Sequence, residues 1–565
     1  MTVPANAPPL GPAFVLQRLS ELTDADSRWW SKGTGLGAKL RIQELLELSE
    51  AQRGGDIYAA SVDRLRKQAR STLGQANEFL GSRYGPLREL LVEALSGSAK
   101  KIEEAGLGSL WPGSGSYSSL TAGLEFLEGT AYLEAISAEI NERSQGATDV
   151  NDLWKLNDLV ELLDAELISD GHSRRWRVNA YGHINSAVQD GSSLEEALTA
   201  ILAERREERE FHVIATLDSI SDPTNVEVQI QQAPEEELFQ TISAWESEPP
   251  EEVLTFPSGG LIERVSAVDE FAAGEAAAEQ FGKRKALWCL QGGDLEIEQE
   301  FIVYDGVRKR ASVVRVDTEP NLRPENLRKV RLQTAPPRLV DGLLQLAEAR
   351  KSPAGAMLAD LWGVAEVCFS GIAVGPRDQA GSVMAGILQY LYITDYLDWL
   401  GERFVSLGVE PPIEEGQGRP DWALEMVARH GGTLFPRLRE HDVLAWARAK
   451  QVARWDEDRF LQQDLDAVRA KIEATTARAY LMRNFFIHAG KTDRSAALAV
   501  TLPAFAELLR LSLGFVLESD DPEPSVSARL AMLKARQLAF DYRNGNAEGP
   551  GALADAVGLP WREES

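Results

Sequence analysis

Arg483-Asn484-Phe485-Phe486-Ile487-His488, followed by Ala489-Gly490, brings a permanent cation, a neutral amide and an imidazole into one short stretch. These side-chain types suit cleavage of an RNA phosphodiester by its own neighbouring 2′-hydroxyl. That reaction needs a group to move protons at oxygen and a cation to hold the charge that builds on phosphorus. His488 fits the proton transfer, since imidazole titrates near working pH. Arg483 fits the non-bridging oxygens, since its planar fork stays charged throughout. Asn484 is placed to orient either His488 or the phosphate. The scheme needs no metal or other cofactor.

A long helix must carry these groups. Leu461, Leu465, Val468, Ile472, Thr475, Ala479, Met482 and Phe486 follow alternating steps of four and three, which predicts one continuous core-facing stripe. Arg483 falls at the edge of that stripe, and His488 lies about 140° further round a regular helix. One helix therefore does not present both side chains together. Gly490 is placed to end the helix, so His488 is expected on a frayed last turn. Two other stretches match Arg and His at similar spacing. Arg177 to His183 contains Gly182, which predicts a break, and Arg206 lies within the charge run Glu204 to Glu210, expected as a solvated helix end directly before a strand-like stretch.

The R-N-x-x-x-H spacing late in a C-terminal helical region resembles the HEPN superfamily, and the run RNFFIHAG is most similar to its Apea-like branch, found in bacterial defence proteins. Only the C-terminal third carries the resemblance. It implies a metal-independent endoribonuclease whose catalytic residues are Arg483, Asn484 and His488, and a site built at a homodimer interface from two copies of the motif. It also implies a toxin or anti-phage role, with the N-terminal two-thirds sensing a phage or cellular trigger or restraining the nuclease. Some members of the superfamily bind nucleotides or partners without cutting RNA, so a non-catalytic interaction protein or scaffold is the competing expectation.

The chain has 565 residues and a formal charge of -28, which disfavours general coating of nucleic acid but leaves room for a local RNA site. From Arg469 to Arg494, six cations stand against Glu473 and Asp493, a local excess of four. Arg478, Lys491 and Arg494 in that island are the expected RNA contacts. No membrane span and no secretory signal are expected. Cys289 and Cys368 lie in apolar settings and are expected as buried thiols, which points to a cytoplasmic protein.

The fold class expected is mainly α, in three parts and a tail. Residues 1–209 are a helical N-terminal region, with helices over Ala38 to Gln52 and Leu153 to Ile168 and a Gly/Ser loop over Gly106 to Ser119. Residues 210–335 are a small α+β module. Its expected strands are Phe211 to Leu217, Asn225 to Gln231, Leu295 to Tyr304 and Ala311 to Val316, with an Ala-rich helix over Val268 to Phe281 and an acidic loop over Ala233 to Pro257. Residues 336–521 form the HEPN-like helical bundle, with Pro503 expected at a helix start and Pro411 to Pro420 as a linker. Residues 522–565 hold one more helix, Ser525 to Tyr542, and a Gly-rich tail.

The remaining candidates read as structural. Gly33-Thr34-Gly35-Leu36-Gly37 has no preceding strand and is expected as a helix-entry turn rather than a phosphate cradle. Lys283-Arg284-Lys285 is expected at a helix C-terminus, against the dipole. The six histidines show no i, i+4 pair and no neighbouring cysteine pair, and no G-x-S-x-G elbow is present. Tyr390, Tyr392, Tyr396 and Trp399 are expected as core, or as a dimer seam, rather than a base-stacking platform.

Overall fold

The computed structural model describes residues 9–24, 26–32, 37–54, 66–67, 69–70, 84–95, 114–128, 130–203, 208–221, 232–245, 258–290, 293–316, 322–324, 335–350, 352, 354–369, 379–409, 419–455, 460–489 and 496–518. The chain is mainly α with a small α+β module. The N-terminal helices are α1 (Leu10–Thr23), α2 (Ala38–Gly54), α3 (Gly85–Leu95), α4 (Gly115–Leu127), α5 (Thr130–Gly146), α6 (Val150–Ser169), α7 (Arg174–Gln189) and α8 (Leu194–Ala203). Asp149 starts α6 with a reciprocal capping box to Asp152. Helix α7 runs straight through Gly182 rather than breaking there. Its neighbours explain this: Arg177 and Tyr181 both bond the buried Asp164 and hold the turn closed around the glycine. Helix α4 begins inside the stretch expected as a Gly/Ser loop, because Ser114 accepts from the Tyr117 N–H as an N-cap.

The module comprises β1 (Arg209–Ser221), β2 (Gln232–Ala233), α9 (Glu235–Ala244), β3 (Gly260–Ala267), α10 (Glu270–Leu290), β4 (Asp294–Asp305) and β5 (Arg310–Arg315). Its antiparallel sheet has the order β2-β3-β1-β4-β5. Period-two alternation splits it into two cores. Phe211, Val213, Ala215, Phe301, Val303 and Val314 face α10, while Ile214, Ile302 and Tyr304 meet Leu238, Ile242 and Trp245 around α9. The acidic stretch expected as a loop thus contains a helix, started by Pro234 with Glu235, Glu236 and Glu237 in its first turn. Strand β3 was not expected, whereas the strand expected over Asn225 to Gln231 lies outside the described residues. Helix α10 continues to Leu290, so Lys283 and Arg284 sit within it, paired with Glu279 and Glu263, rather than at its end. Cys289 is exposed, contrary to expectation; its neighbour Trp288 takes the inward position and turns Cys289 outward.

The C-terminal helices are α11 (Pro337–Ala349), α12 (Ala354–Phe369), α13 (Gln379–Ser406), α14 (Arg419–His441), α15 (Val443–Arg454), α16 (Phe460–Ala489) and α17 (Ala496–Glu518). Pro503 lies inside α17, not at its start. By length and composition α17 also has a segment, Ala497–Leu517, able to cross a bilayer, which was not expected. Most of that segment is buried in the protein, with Phe505 stacked on Trp362 and Phe515 edge-on to Tyr390, so it is a core helix of this bundle.

The N-terminal and C-terminal helices share one hydrophobic core, although the sequence separates them as two regions. Ion pairs reinforce the junction. Arg448 of α15 reaches Glu21 of α1, and Arg18 bonds both Glu21 and Glu161. The Arg448 guanidinium also lies 4.6 Å from the Trp30 ring centroid and 4.3 Å from that of Trp399. Burial raises the Glu21 carboxyl, but Arg448 and Arg18 together hold it below its ordinary range. Tyr392, Tyr396 and Trp399 pack on Trp30, so the aromatic helix face belongs to this seam within one chain.

Candidate functional site

The motif lies at the C-terminal end of α16, a helix of 30 residues. The expected stripe is inward-facing: Leu461, Leu465, Ile472, Thr475, Ala479 and Met482 are buried, and Val468 and Phe486 pack against the core from its edge. Phe486 anchors the motif end. Its ring sits so close to Gly355 of α12 that a Cβ there would stand 2.8 Å from a ring carbon. Tyr480 contacts Trp362 on the same helix α12.

Arg483 is half-buried and donates from Nη1 to Asn484 Oδ1 at 2.9 Å. Asn484 itself is buried at 9% exposure. The amide oxygen thus accepts from the neighbouring guanidinium, a partner not among those expected, which were His488 and the phosphate. The helix stays regular through His488 to Ala489, so the backbone of His488 is wound rather than frayed. A regular helix leaves the two positions about 140° apart around its axis, and one copy of α16 does not converge them. The His488 side chain, Gly490, Lys491 and Arg494 lie outside the described residues. Beside the motif, Ile487 is 52% exposed, an apolar side chain presented to solvent at the tip of the helix.

The expected basic island is differently used. Arg478 is buried at 1% exposure and faces Glu44 of α2, with Nε 3.6 Å from Oε1. This removes it from the expected RNA contacts, because a guanidinium sealed between two helices does not reach a phosphate. Burial lowers its pKa and Glu44 only partly offsets the effect. Nearby Arg41 is pushed down to about 9 by burial and by the charge of Arg478. Lys471 donates to the main-chain carbonyls of Trp30 and Lys32 at 3.3 and 2.8 Å. Arg469 bonds Glu473 on its own helix and reaches Gln389 and Ser382 of α13. Of the four described cations in the island, Arg469 and Arg478 join helices, Lys471 holds the turn after α1, and Arg483 belongs to the motif itself.

The other sequence candidates resolve as structure. Helix α2 begins immediately after Gly37, where the Glu166 carboxylate approaches the Lys39 N–H at 3.5 Å. Gly33 to Leu36 themselves lie outside the described residues. Burial pushes Glu166 up to about 7, against the pull of Lys39. His172, Ser173 and Asp269 come together at the joint between α7 and α10, yet both Ser173 and His172 face Asp269 rather than each other. With the His172 and Asp269 side chains sealed from solvent, this is an N-cap and packing joint, not a nucleophile with its base. Among the described residues no three His, Cys, Asp or Glu side chains gather as metal ligands.

No family model matches the chain, and neither does any curated protein or solved structure.

Proposed function

We propose that this chain is a metal-independent endoribonuclease of the HEPN type, in which two copies of the motif surround one phosphate. Arg483 holds the non-bridging oxygens, and His488 takes the proton from the attacking 2′-hydroxyl or returns one to the departing 5′ oxygen. Asn484 fixes the Arg483 fork. The observation that carries this reading is the Arg483–Asn484 hydrogen bond, about one and a half turns from the end of a helix whose tip bears His488. A paired, half-buried guanidinium is already oriented for a planar phosphate edge, so less side-chain freedom is lost on binding. In this reading the protein works in the bacterial cytoplasm as a defence nuclease or toxin. A phage or cellular trigger acts through the N-terminal helices and the sheet module.

A second reading is a non-catalytic, HEPN-like helical scaffold. It is favoured by the use of Arg469, Lys471 and Arg478 in internal packing, which leaves Arg483 as the remaining cation of that island among the described residues. RNA degradation by the purified full-length protein, with and without EDTA and beside His488→Ala, decides between them. Cleavage that resists chelation and is lost in a folded His488→Ala protein supports the nuclease. Unchanged cleavage in that variant removes the assignment, and full dependence on added Mg²⁺ or Mn²⁺ removes the metal-free mechanism.

A further inference from the structure

The β4–β5 hairpin ends in Gly306-Val307-Arg308-Lys309, followed by Arg310 at the first position of β5. Every residue from Gly306 to Arg310 is exposed, and Val307 is 72% open to solvent. Three consecutive cations thus stand at the end of a turn, in a chain whose formal charge is -28. Arg308 and Arg310 have no ion-pair partner among the described residues, unlike Arg209 and Arg284 in the same module.

The turn is firmly built. Asp305 Oδ1 accepts from the backbone N–H groups of Val307 and Arg308 at 3.0 and 3.1 Å, while its other oxygen pairs with Arg209 at 2.7 Å. Asp305 is buried at 5% exposure, so the carboxylate that shapes the tip is spent inward and does not cancel the Arg308 and Arg310 guanidinium groups. Lys309 holds φ at +51°, a backbone region that costs a non-glycine residue energy and is retained only where surroundings impose it. A rigid tip that presents unpaired guanidinium groups beside an apolar side chain suits a phosphate backbone with a base or sugar against Val307.

We infer that the hairpin tip Val307-Arg308-Lys309-Arg310 is a capture surface for single-stranded RNA. The choice of RNA over other polyanions rests on the proposed function; the existence of the surface does not. Each phosphate neutralised on a single strand adds about 0.7 to the dependence of log affinity on log salt. Removing the tip cations is therefore expected to lower that slope by roughly 1.5 to 2 and weaken binding roughly tenfold or more.

The test is fluorescence anisotropy of a labelled 20-nucleotide RNA with the full-length His488→Ala protein, which keeps the probe intact, with and without Arg308→Gln/Lys309→Gln/Arg310→Gln. A poly-glutamate peptide serves as the competing polyanion, and matched thermal melts check the fold. A tenfold loss for RNA with the lowered salt slope supports the inference. Undiminished RNA binding by the triple variant overturns it, as does equal binding of poly-glutamate lost in parallel, which would assign the tip to an acidic protein segment. Absence of RNA binding in the parent protein also overturns it. Wild-type protein that binds RNA through the tip but cuts nothing leaves the capture surface standing and removes only the nuclease. Cleavage with tip-independent binding does the reverse.

Discussion

Arg478, on the helix that carries Arg483, faces Glu44 of α2 across 3.6 Å with both side chains almost out of water. A buried pair of this kind is weak evidence of net stabilisation, but removing one member strands the other in a medium that cannot solvate it. Glu44→Ala is therefore expected to destabilise the protein by about 3–5 kcal/mol. Arg478→Met combined with Glu44→Leu, which replaces both charges by apolar volume, should cost clearly less. Urea denaturation of the two variants checks the order; a Glu44→Ala protein as stable as wild type would show the pair to be idle.

Glu166 supplies a pH dependence with a definite sign. Its folded pKa, raised by burial to about 7, exceeds the ordinary 4.5. Its contribution is therefore fully present below about pH 4.5 and is lost as pH rises through 7, a change on the order of 3 kcal/mol. Thermal melts between pH 5 and 8 should show a steeper decline in wild type than in Glu166→Gln. Parallel declines in the two proteins would refute this assignment.

Asn484→Ala should leave the fold in place while freeing the Arg483 fork. The expected result is a fall in kcat on the order of tenfold with a smaller change in KM. Asn484→Asp, which still accepts from Arg483, should retain more activity than Ala. If both substitutions act alike, Asn484 does not work by holding Arg483.

A site shared by two copies is open to poisoning. Excess Arg483→Ala/His488→Ala protein mixed into wild type should lower activity per wild-type chain, because heterodimers carry only one intact motif. Activity that stays constant despite demonstrated subunit exchange would argue for a self-sufficient monomer.

Residues 336–521 produced alone should fail to form a fixed tertiary structure. Arg448 would lose Glu21, Lys471 its carbonyl partners, and Tyr392, Tyr396 and Trp399 the cover of Trp30. Near-ultraviolet circular dichroism of the fragment tests this, and a native-like spectrum with cooperative melting would contradict it.

The helix stripe from Leu461 to Phe486 was legible because one face meets the core at every turn, and periodicity encodes that directly. The β1, β4 and β5 strands were legible for the corresponding reason at period two. Arg478 was misread because sequence shows charge but not what lies opposite; Glu44 stands 434 positions earlier and nothing local announces it. The same limit hid the common core of the N-terminal and C-terminal helices. Helix α9 and strand β3 escaped notice because acidic residues and prolines around them carry the composition of a loop. The bond between Arg483 and Asn484 depends on rotamers, which adjacency in sequence does not fix.

The Glu21–Arg448 pair also imposes an order on biosynthesis. The partners are 427 positions apart, and at 5–20 residues per second roughly 20–85 seconds separate their emergence from the ribosome. Throughout that interval α1 carries Arg18 and Glu21 without the guanidinium that completes their cluster, and Trp30 waits for the rings of α13. The motif helix is made later still, after α12 and α13 on which it packs and before α17, which completes its seat. A chain interrupted before residue 448 holds neither a finished core nor the motif, and the catalytic end of the proposed nuclease comes into being only on a molecule whose N-terminal half is already present to grip it.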